Sequence, residues 1–401
     1  MKNIFEKEIE SFCCGCRACE YVCPVQYILT YQSERDGFIY PKVNKEKNCI
    51  NCGRCIKACP IKNPKAEKKP IDAFGFINND EIANSSASGG VFSAVAVDVI
   101  QNGGVVYGCL LDENMDAVTE RVDNCKDLLK LLSSKYVLCN SNNSYKRVET
   151  DLLCDKMVLY CSTPCQVAGL LNYLGRDYPN LLTIDLFCHG VPSPGLFKKY
   201  IHFIEDKYKS KVTNVVFRDK KVAWGTAGFI QTERRIPFLG NEDPYYYSFL
   251  KARTYQKICY SCPYAKEQRV GDISIGDYWG VENEHPDINR ENGVSAVLVN
   301  TKKGKEYLLK LNNNLVFKTE IEKISKYNTV LCCPTIYNND RDLIYEGYQN
   351  LETKMLVKRY LKLPYSKVQF LKYKIVTSLE YIGFGKFIRL YFKIKHRRRE
   401  Q

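Results

Sequence analysis

Cys13-x2-Cys16-x2-Cys19-x3-Cys23-Pro24 recurs, with identical spacing, as Cys49-x2-Cys52-x2-Cys55-x3-Cys59-Pro60. In a C-x2-C-x2-C tract, three thiolates on one short loop turn toward a common centre. The fourth cysteine, followed by proline, leaves the loop and ligates the other centre in two-cluster proteins. The spacing therefore predicts one 4Fe–4S cluster on Cys13, Cys16, Cys19 and Cys59. A second is predicted on Cys49, Cys52, Cys55 and Cys23. Zinc knuckles are the alternative, but they favour two C-x2-C pairs over triplets with a trailing Cys-Pro.

The chain around these tracts has 401 residues, 45% hydrophobic and 26% charged. That is the make-up of a globular protein with room for two domains and a substantial core. Twenty cysteines, many of them in metal-ligand spacing, behind an N-terminus without an apolar export segment, point to a reducing cytoplasm rather than a disulfide scaffold. No run of apolar residues is long enough to span a bilayer. The net charge of +14 is uneven: from Leu351 to Gln401 there are fourteen Lys or Arg against three acids. Each four-thiolate cluster subtracts about two charges, so the body is near neutral and the end of the chain is basic.

Residues 1–60 read as the two-cluster unit, and residues 61–71, polar with proline near each end, as a linker. From Asp72 the texture becomes that of an α/β fold, with α+β elements further on. Val91, Phe92, Val95, Val99 and Ile100 recur at helical spacing, and Asn102-Gly-Gly104 stops the helix. Strands at Val105–Tyr107, Met157–Cys161 and Leu181–Cys188 alternate with helices at Cys165–Leu174 and from Ser193-Pro194 to about Tyr208. This β-turn-α-β order predicts parallel pairing in a central sheet. From Val212 the pattern shifts to strands, among them 215–217, 273–275 and 294–299. The body is expected to run to residue 340, with 341–401 as a basic helical tail.

Three cysteine positions in the body carry chemistry. Cys165 follows Pro164 at a helix N-terminus, where the dipole favours a thiolate. Cys188 ends a strand before His189-Gly190, and Cys259-x2-Cys262-Pro263 is a pair in ligand spacing. Together they are a candidate third 4Fe–4S site, set against a reading as small buried hydrophobes. Ser88-Gly89-Gly90, at the entry to a helix, offers unobstructed backbone N–H groups to a pyrophosphate, or is simply a capped serine-rich turn. Lys135 is a candidate for a phosphate or flavin carbonyl, unless it faces water. Asp272 and Asp277 are candidates to fix loops around Trp279, the favoured reading, or to position a substrate, and His189 reads as a proton donor or a structural ring. Cysteines 14, 109, 125, 139, 154, 161, 332 and 333 lack ligand spacing and read as structural or incidental. No Walker A loop, Ser-His-Asp set or zinc-protease motif is present.

The front of the chain closely resembles bacterial dicluster ferredoxins. Further on, Ser86-Ala-Ser-Gly-Gly-Val-Phe92, Thr163-Pro-Cys-Gln-Val-Ala-Gly-Leu170, Asp185-Leu-Phe-Cys-His-Gly-Val-Pro-Ser-Pro194 and Gly271-Asp-Ile-Ser-Ile-Gly-Asp-Tyr-Trp-Gly280 occur in that order. Together, over roughly residues 72–300, they resemble the coenzyme F(420) hydrogenase/dehydrogenase beta-subunit family. The resemblance implies an iron–sulfur flavoprotein passing electrons between clusters and a deazaflavin or related acceptor through FAD. It implies Cys165, Cys188, Cys259 and Cys262 as ligands of the third cluster, and Ser88, Gly89, Gly90, Thr163 and Lys135 as flavin contacts. It also implies a redox partner (ferredoxin, deazaflavin or another oxidoreductase). Members with a fused ferredoxin and a basic tail resemble enzymes of bacterial polysaccharide synthesis. The family's small glycine before Thr-Pro-Cys is Ser162 here, which narrows the approach of a ring system to that turn.

Two functions of different class follow: an oxidoreductase with its own organic acceptor, or an electron-carrier or adaptor subunit without one. In the tail, Val368, Leu371, Ile375, Leu379 and Ile382 form one apolar stripe on a helix beside basic residues. That pattern suits the face of an anionic membrane or packing on the body. Without a recognised module, the charge does not point to nucleic acid.

Overall fold

The computed structural model describes residues 5, 9–65, 68–220, 224–311, 314–365, 368, 369, 371 and 375. The duplicated spacing of the cysteine tracts is matched by a duplicated backbone. Gly15 and Arg17 in the first tract, and Asn51 and Gly53 in the second, all adopt left-handed conformations, with φ between 55° and 71°. These reversals coil each tract so that its sulfurs face inward; Arg17 adopts the shape despite its Cβ. Each tract then enters a one-turn helix, Ala18–Tyr21 or Arg54–Ala58. A hairpin of β1 (Ile28–Gln32) and β2 (Ile39–Val43) joins the two halves, with Ile28 opposite Val43.

The body is built on an eight-stranded mixed sheet. Its strands are β3 (Asp72–Asn78), β4 (Val105–Leu111), β5 (Ala117–Val122), β6 (Val158–Ser162) and β7 (Leu181–Leu186), followed by β11 (Ile273–Asp277), β12 (Ser295–Val299) and β13 (Asn314–Thr319). The order across the sheet is β13-β3-β12-β11-β7-β6-β4-β5. The central strands β4, β6, β7 and β11 pair in parallel, as the β-turn-α-β reading predicts. The flanking pairs are antiparallel. Both faces of the centre are covered, so Leu159, Leu182, Ile184, Ile273 and Val297 are fully buried. Each such side chain stabilises the fold by about 1.5–3 kcal/mol. A separate three-stranded sheet, β8 (Asn214–Val216), β9 (Ala227–Gln231) and β10 (Arg235–Leu239), stands against the body.

The helices begin where their caps dictate. Ser193 accepts a hydrogen bond from the Leu196 N–H at 3.0 Å, with Pro194 at the first position of Pro194–Tyr208. Pro164–Leu174 also opens on proline and stops at Gly175, whose φ of 67° ends it.

Two stretches differ from expectation. The described part of the linker is pinned: Lys68 and Arg269 exchange backbone hydrogen bonds at 2.7 and 2.9 Å, and the Tyr264 hydroxyl donates to the Pro60 carbonyl at 2.6 Å. The beginning of the expected tail is core, because helices Asp340–Asn350 and Thr353–Arg359 bury Ile344, Leu356 and Val357, with Leu361 just beyond. Past them, Val368, Leu371 and Ile375 are exposed. Leu379, Ile382 and the terminal basic run lie outside the described residues.

Candidate redox centres and cavity

The two cysteine tracts bring their sulfurs together in two groups. Cys13, Cys16, Cys19 and Cys59 line one small void, together with Cys14. Cys23, Cys49, Cys52 and Cys55 line another. Each group mixes three sulfurs of one tract with the Cys-Pro cysteine of the other, as the crossed ligation predicts. Backbone N–H groups point at the sulfurs in matching positions: Gly15 to Cys13 at 3.4 Å and Asn51 to Cys49 at 3.4 Å. Tyr27 donates to Cys23 at 3.2 Å and Lys62 to Cys59 at 3.5 Å. Such bonds stabilise thiolates and set the potential of a bound cluster.

Burial and neighbouring sulfurs push the thiols of Cys13 and Cys19 far up, and that of Cys59 up to about 11. Sulfurs packed this way ionise together only if a cation shares their charge, which is what iron supplies. Among the described residues no three Cys, His, Asp or Glu groups close on a point that would hold a single metal ion. A cubane is held at four corners, so its ligands stand wider apart than those of one ion.

A third group of thiols forms in the body. Cys165 opens the helix after β6, Cys188 follows β7, and Cys259 and Cys262 lie on and just after the short turn Lys257–Ser261. Burial first, and then the charges of one another, push the thiol of Cys188 up to about 12, that of Cys262 to about 11 and that of Cys259 well above its ordinary value. Sequence reasoning treats Cys14 as incidental, yet it is buried between the first and third groups. The sulfurs of Cys16 and Cys165 beside it, together with burial, push its thiol well above the ordinary value. The hydrogen bond from Cys14 holds the Cys165 thiol below its ordinary value, against the effect of burial.

A cavity of about 350 Å³ opens where the parallel strands end, the usual place for a ligand in such a sheet. Its wall includes Gly108-Cys109 of β4, Cys161-Ser162 at the end of β6 with Thr163 beyond it, the stretch from Leu186, the last residue of β7, to Val191, and Gly276-Asp277 of β11. Cys188 thus belongs both to the third thiol group and to this wall. Ser88, Gly90, Lys135 and Thr163 are also on the wall. Gly89 is packed into the sheet instead: a Cβ there would meet the Phe76 carbonyl oxygen at 2.1 Å and the Ser295 nitrogen at 2.5 Å. Ser88 donates from its hydroxyl to the Val294 carbonyl at 2.8 Å. The turn is therefore fixed by strand packing, whatever it also binds.

Lys135 does not face water. Its ammonium donates to the carbonyls of Leu132 at 2.6 Å, Lys130 at 2.9 Å and Ser133 at 3.3 Å. Burial pushes its pKa down to about 8, opposed by the nearby thiols of Cys109, Cys139 and Cys161. The cavity wall thus carries a charge without a spare donor. Ser133 is held at φ 65° on the same wall, its buried hydroxyl without a hydrogen-bond partner among the described residues. An orphaned donor beside a cavity is a contact left for a ligand.

The polar end of the cavity contains a residue that sequence reasoning missed. Arg218 donates to both oxygens of Asp277, at 2.8 and 2.9 Å, and to the Tyr136 hydroxyl at 3.2 Å. Trp224 donates to Asp277 at 2.8 Å and stacks on Trp279 with ring centres 5.1 Å apart. Asp277 does fix loops around Trp279, as its position suggested; Arg218 follows a strand with no motif around it. Asp272 accepts from the Thr183 backbone at 2.9 Å and the Thr301 hydroxyl at 2.9 Å, outside the cavity. Tyr136, Tyr246 and Phe249 supply a stacked aromatic wall, with Tyr136 and Phe249 4.2 Å apart. His189 lines the cavity, and burial holds its ring below the ordinary imidazole value, opposed by Asp277.

Residues 155–324 match the family model for the C terminus of the coenzyme F420 hydrogenase/dehydrogenase beta subunit. Residues 12–63 match that of the 4Fe-4S dicluster domain. No curated protein matches the chain. Among solved structures it is similar to a chain of the xenon-derivatised F420-reducing NiFe hydrogenase complex from Methanosarcina barkeri. That likeness has 18% identity and a TM-score of 0.43, covering 75% of this chain and 98% of the other. The chain is thus similar over residues 155–324 to the C terminus of the coenzyme F420 hydrogenase/dehydrogenase beta subunit, and over residues 12–63 to the 4Fe-4S dicluster domain.

Proposed function

We propose that this protein is an iron–sulfur flavoprotein oxidoreductase that delivers electrons to an organic acceptor in the cavity at the strand ends. The observation that carries this reading is the position of Cys188, shared between the third thiol group and the cavity wall. The other groups extend from it toward the surface. Cys14 touches the sulfur of Cys165, Cys19 and Cys55 share one buried cluster, and Cys52 is exposed. When bound, the clusters supply single electrons and FAD gathers them in pairs. A surface polysaccharide pathway, and a tail resting on an anionic membrane, belong to the same proposal.

The chain's own residues do the rest. Twelve cysteines hold and space the three groups. The helix Val91–Gln101 presents its N-terminus at the cavity, where Gly90, Val91 and Phe92 are on the wall. That end favours the pyrophosphate of a dinucleotide, supported by the charge of Lys135. Tyr136, Tyr246 and Phe249 exclude water from one side. Arg218, locked to Asp277, keeps a fixed positive charge at the polar end. His189, neutral near pH 7, has a ring nitrogen available to give or take a proton. A carrier or adaptor subunit needs the thiol groups but not a 350 Å³ aromatic-walled cavity beside them.

Anaerobic purification with iron, sulfide and flavin counted per chain tests the reading. About twelve iron and one FAD are expected, and Cys259→Ser should remove about four iron. Full iron content in that variant would remove the third cluster. Twelve iron with no flavin, even after FAD is added, would leave an electron carrier.

A further inference from the structure

We propose that the exposed face around Cys52 is the docking surface for a small acidic one-electron carrier protein. The inference rests on the proposed electron-transfer function and adds to it where the electrons enter. Cys52 is exposed, whereas Cys16 and Cys19 of the first group are buried. A one-electron partner with its own cofactor near the surface can approach the second group without displacing the chain.

The surroundings of Cys52 have the composition of an interface. Ile50, beside the ligand Cys49, is 58% exposed and lines the same void as the second group. Lys45 and Lys47 are exposed on the turn that leads into Cys49. Arg54 and Lys57 are exposed on the helix that carries Cys55. None of these four forms an ion pair among the described residues, while arginines elsewhere, such as Arg121, Arg147 and Arg253, are paired. Glu46 is the acid on that turn, and no acidic residue occurs from Cys49 to Pro60. An apolar centre with a predominantly basic rim is how a partner of the opposite sign is steered and oriented. A cluster bound here carries negative charge, so the basic rim offsets the repulsion an acidic carrier would meet.

The test uses the full-length holoprotein, prepared anaerobically, with iron and sulfide counted first. Prereduced flavodoxin, an acidic flavin protein, is mixed in by stopped flow. The blue semiquinone forms as each flavodoxin hydroquinone gives one electron to an oxidised cluster. The double variant Lys45→Glu, Lys57→Glu should slow this step about tenfold or more at low salt, with the difference closing as salt rises. Reduction by a small viologen, which needs no docking face, should stay within about twofold of wild type. A control pair on the body, Lys126→Glu with Lys209→Glu, should leave both rates unchanged. Equal flavodoxin rates in wild type and rim variant, with full iron content, would overturn the docking face alone. An equal slowing by the control pair would also overturn it, because net charge would then be the cause. A chain without clusters would overturn the proposed function, and the docking face with it.

Discussion

Arg269 and Asp185 form an ion pair at 2.7 Å in which neither side chain is more than 1% exposed. Asp185 lies on β7, three residues before Cys188, and Arg269 follows Cys262 by seven. The pair therefore ties together the two segments that bring Cys188 and Cys262 into one group. It is fully satisfied: Arg269 also donates to the carbonyls of Tyr264, Lys266 and Leu186. Asp185 accepts from the N–H groups of Val270 and Gly271 at 3.1 and 2.8 Å. Arg269→Met leaves that carboxylate buried and unpaired, which costs about 3–5 kcal/mol. The variant should melt well below wild type and lose about four iron while the dicluster unit keeps about eight. A variant with full iron content would show that the loop finds its place without the pair.

The dicluster unit was legible because its signal is local: spacing alone decides which sulfurs share a loop. The parallel centre was legible for a similar reason, since buried strands and capped helices alternate along the chain. The antiparallel flanks were not, because β3 pairs with β12 and β13 across more than two hundred residues. Arg218 and the Arg269–Asp185 pair also depend on partners brought near only by the sheet. Cys14 has no spacing that marks it; its role comes from where the first tract docks on the helix Pro164–Leu174. Lys135 was legible as a cation but not its carbonyl cradle, which follows from the left-handed turn at Ser133.

Cys14 offers a test of the connection between the first and third groups. Its thiol is close enough to the sulfur of Cys165 to hold that thiol below its ordinary value, and a thiol donor beside a ligating sulfur would stabilise the reduced cluster. Cys14→Ala removes that donor without touching a ligand. With about 0.5–1.5 kcal/mol per hydrogen bond, the third cluster should become about 20–60 mV harder to reduce. Iron content should stay at wild-type level. An EPR-monitored redox titration reads the shift, and an unchanged potential would make Cys14 a packing residue only.

The exposed residues Val368, Leu371 and Ile375 lie at three- and four-residue steps, so on a helix they share one face. Deletion of residues 364–401 removes them together with the basic run. Full-length protein should sediment with anionic vesicles and less with neutral ones, and the truncated protein with neither. Equal sedimentation of the two proteins on anionic vesicles would take the membrane out of the proposed function.

Lys135, on the cavity wall, and Lys220, whose ammonium donates to the carbonyl of the wall residue Ser88 at 2.8 Å, link the cavity to pH. Burial pushes both down to about 8. Lys135 faces the thiols of Cys109, Cys139 and Cys161, which draw it back up. Arg218 lowers Lys220 further, while Asp277 raises it. Below pH 8 both amines are charged, and the pyrophosphate of the proposed FAD would gain from them; above it that attraction would fade. FAD affinity should therefore fall between pH 7 and pH 9. The stability of the flavin-free protein should move the other way. Each lysine binds its proton more weakly folded than unfolded, where the ordinary value is about 10.4. Between about pH 8 and pH 10 the unfolded chain then holds more protons, so stability rises with pH across that window. Lys135→Met should flatten both slopes and weaken FAD binding at pH 7. Fluorescence titration with FAD and chemical denaturation, each at pH 7 and pH 9, give the two readouts. Equal FAD affinity at the two pH values in wild type would remove Lys135 from the flavin site.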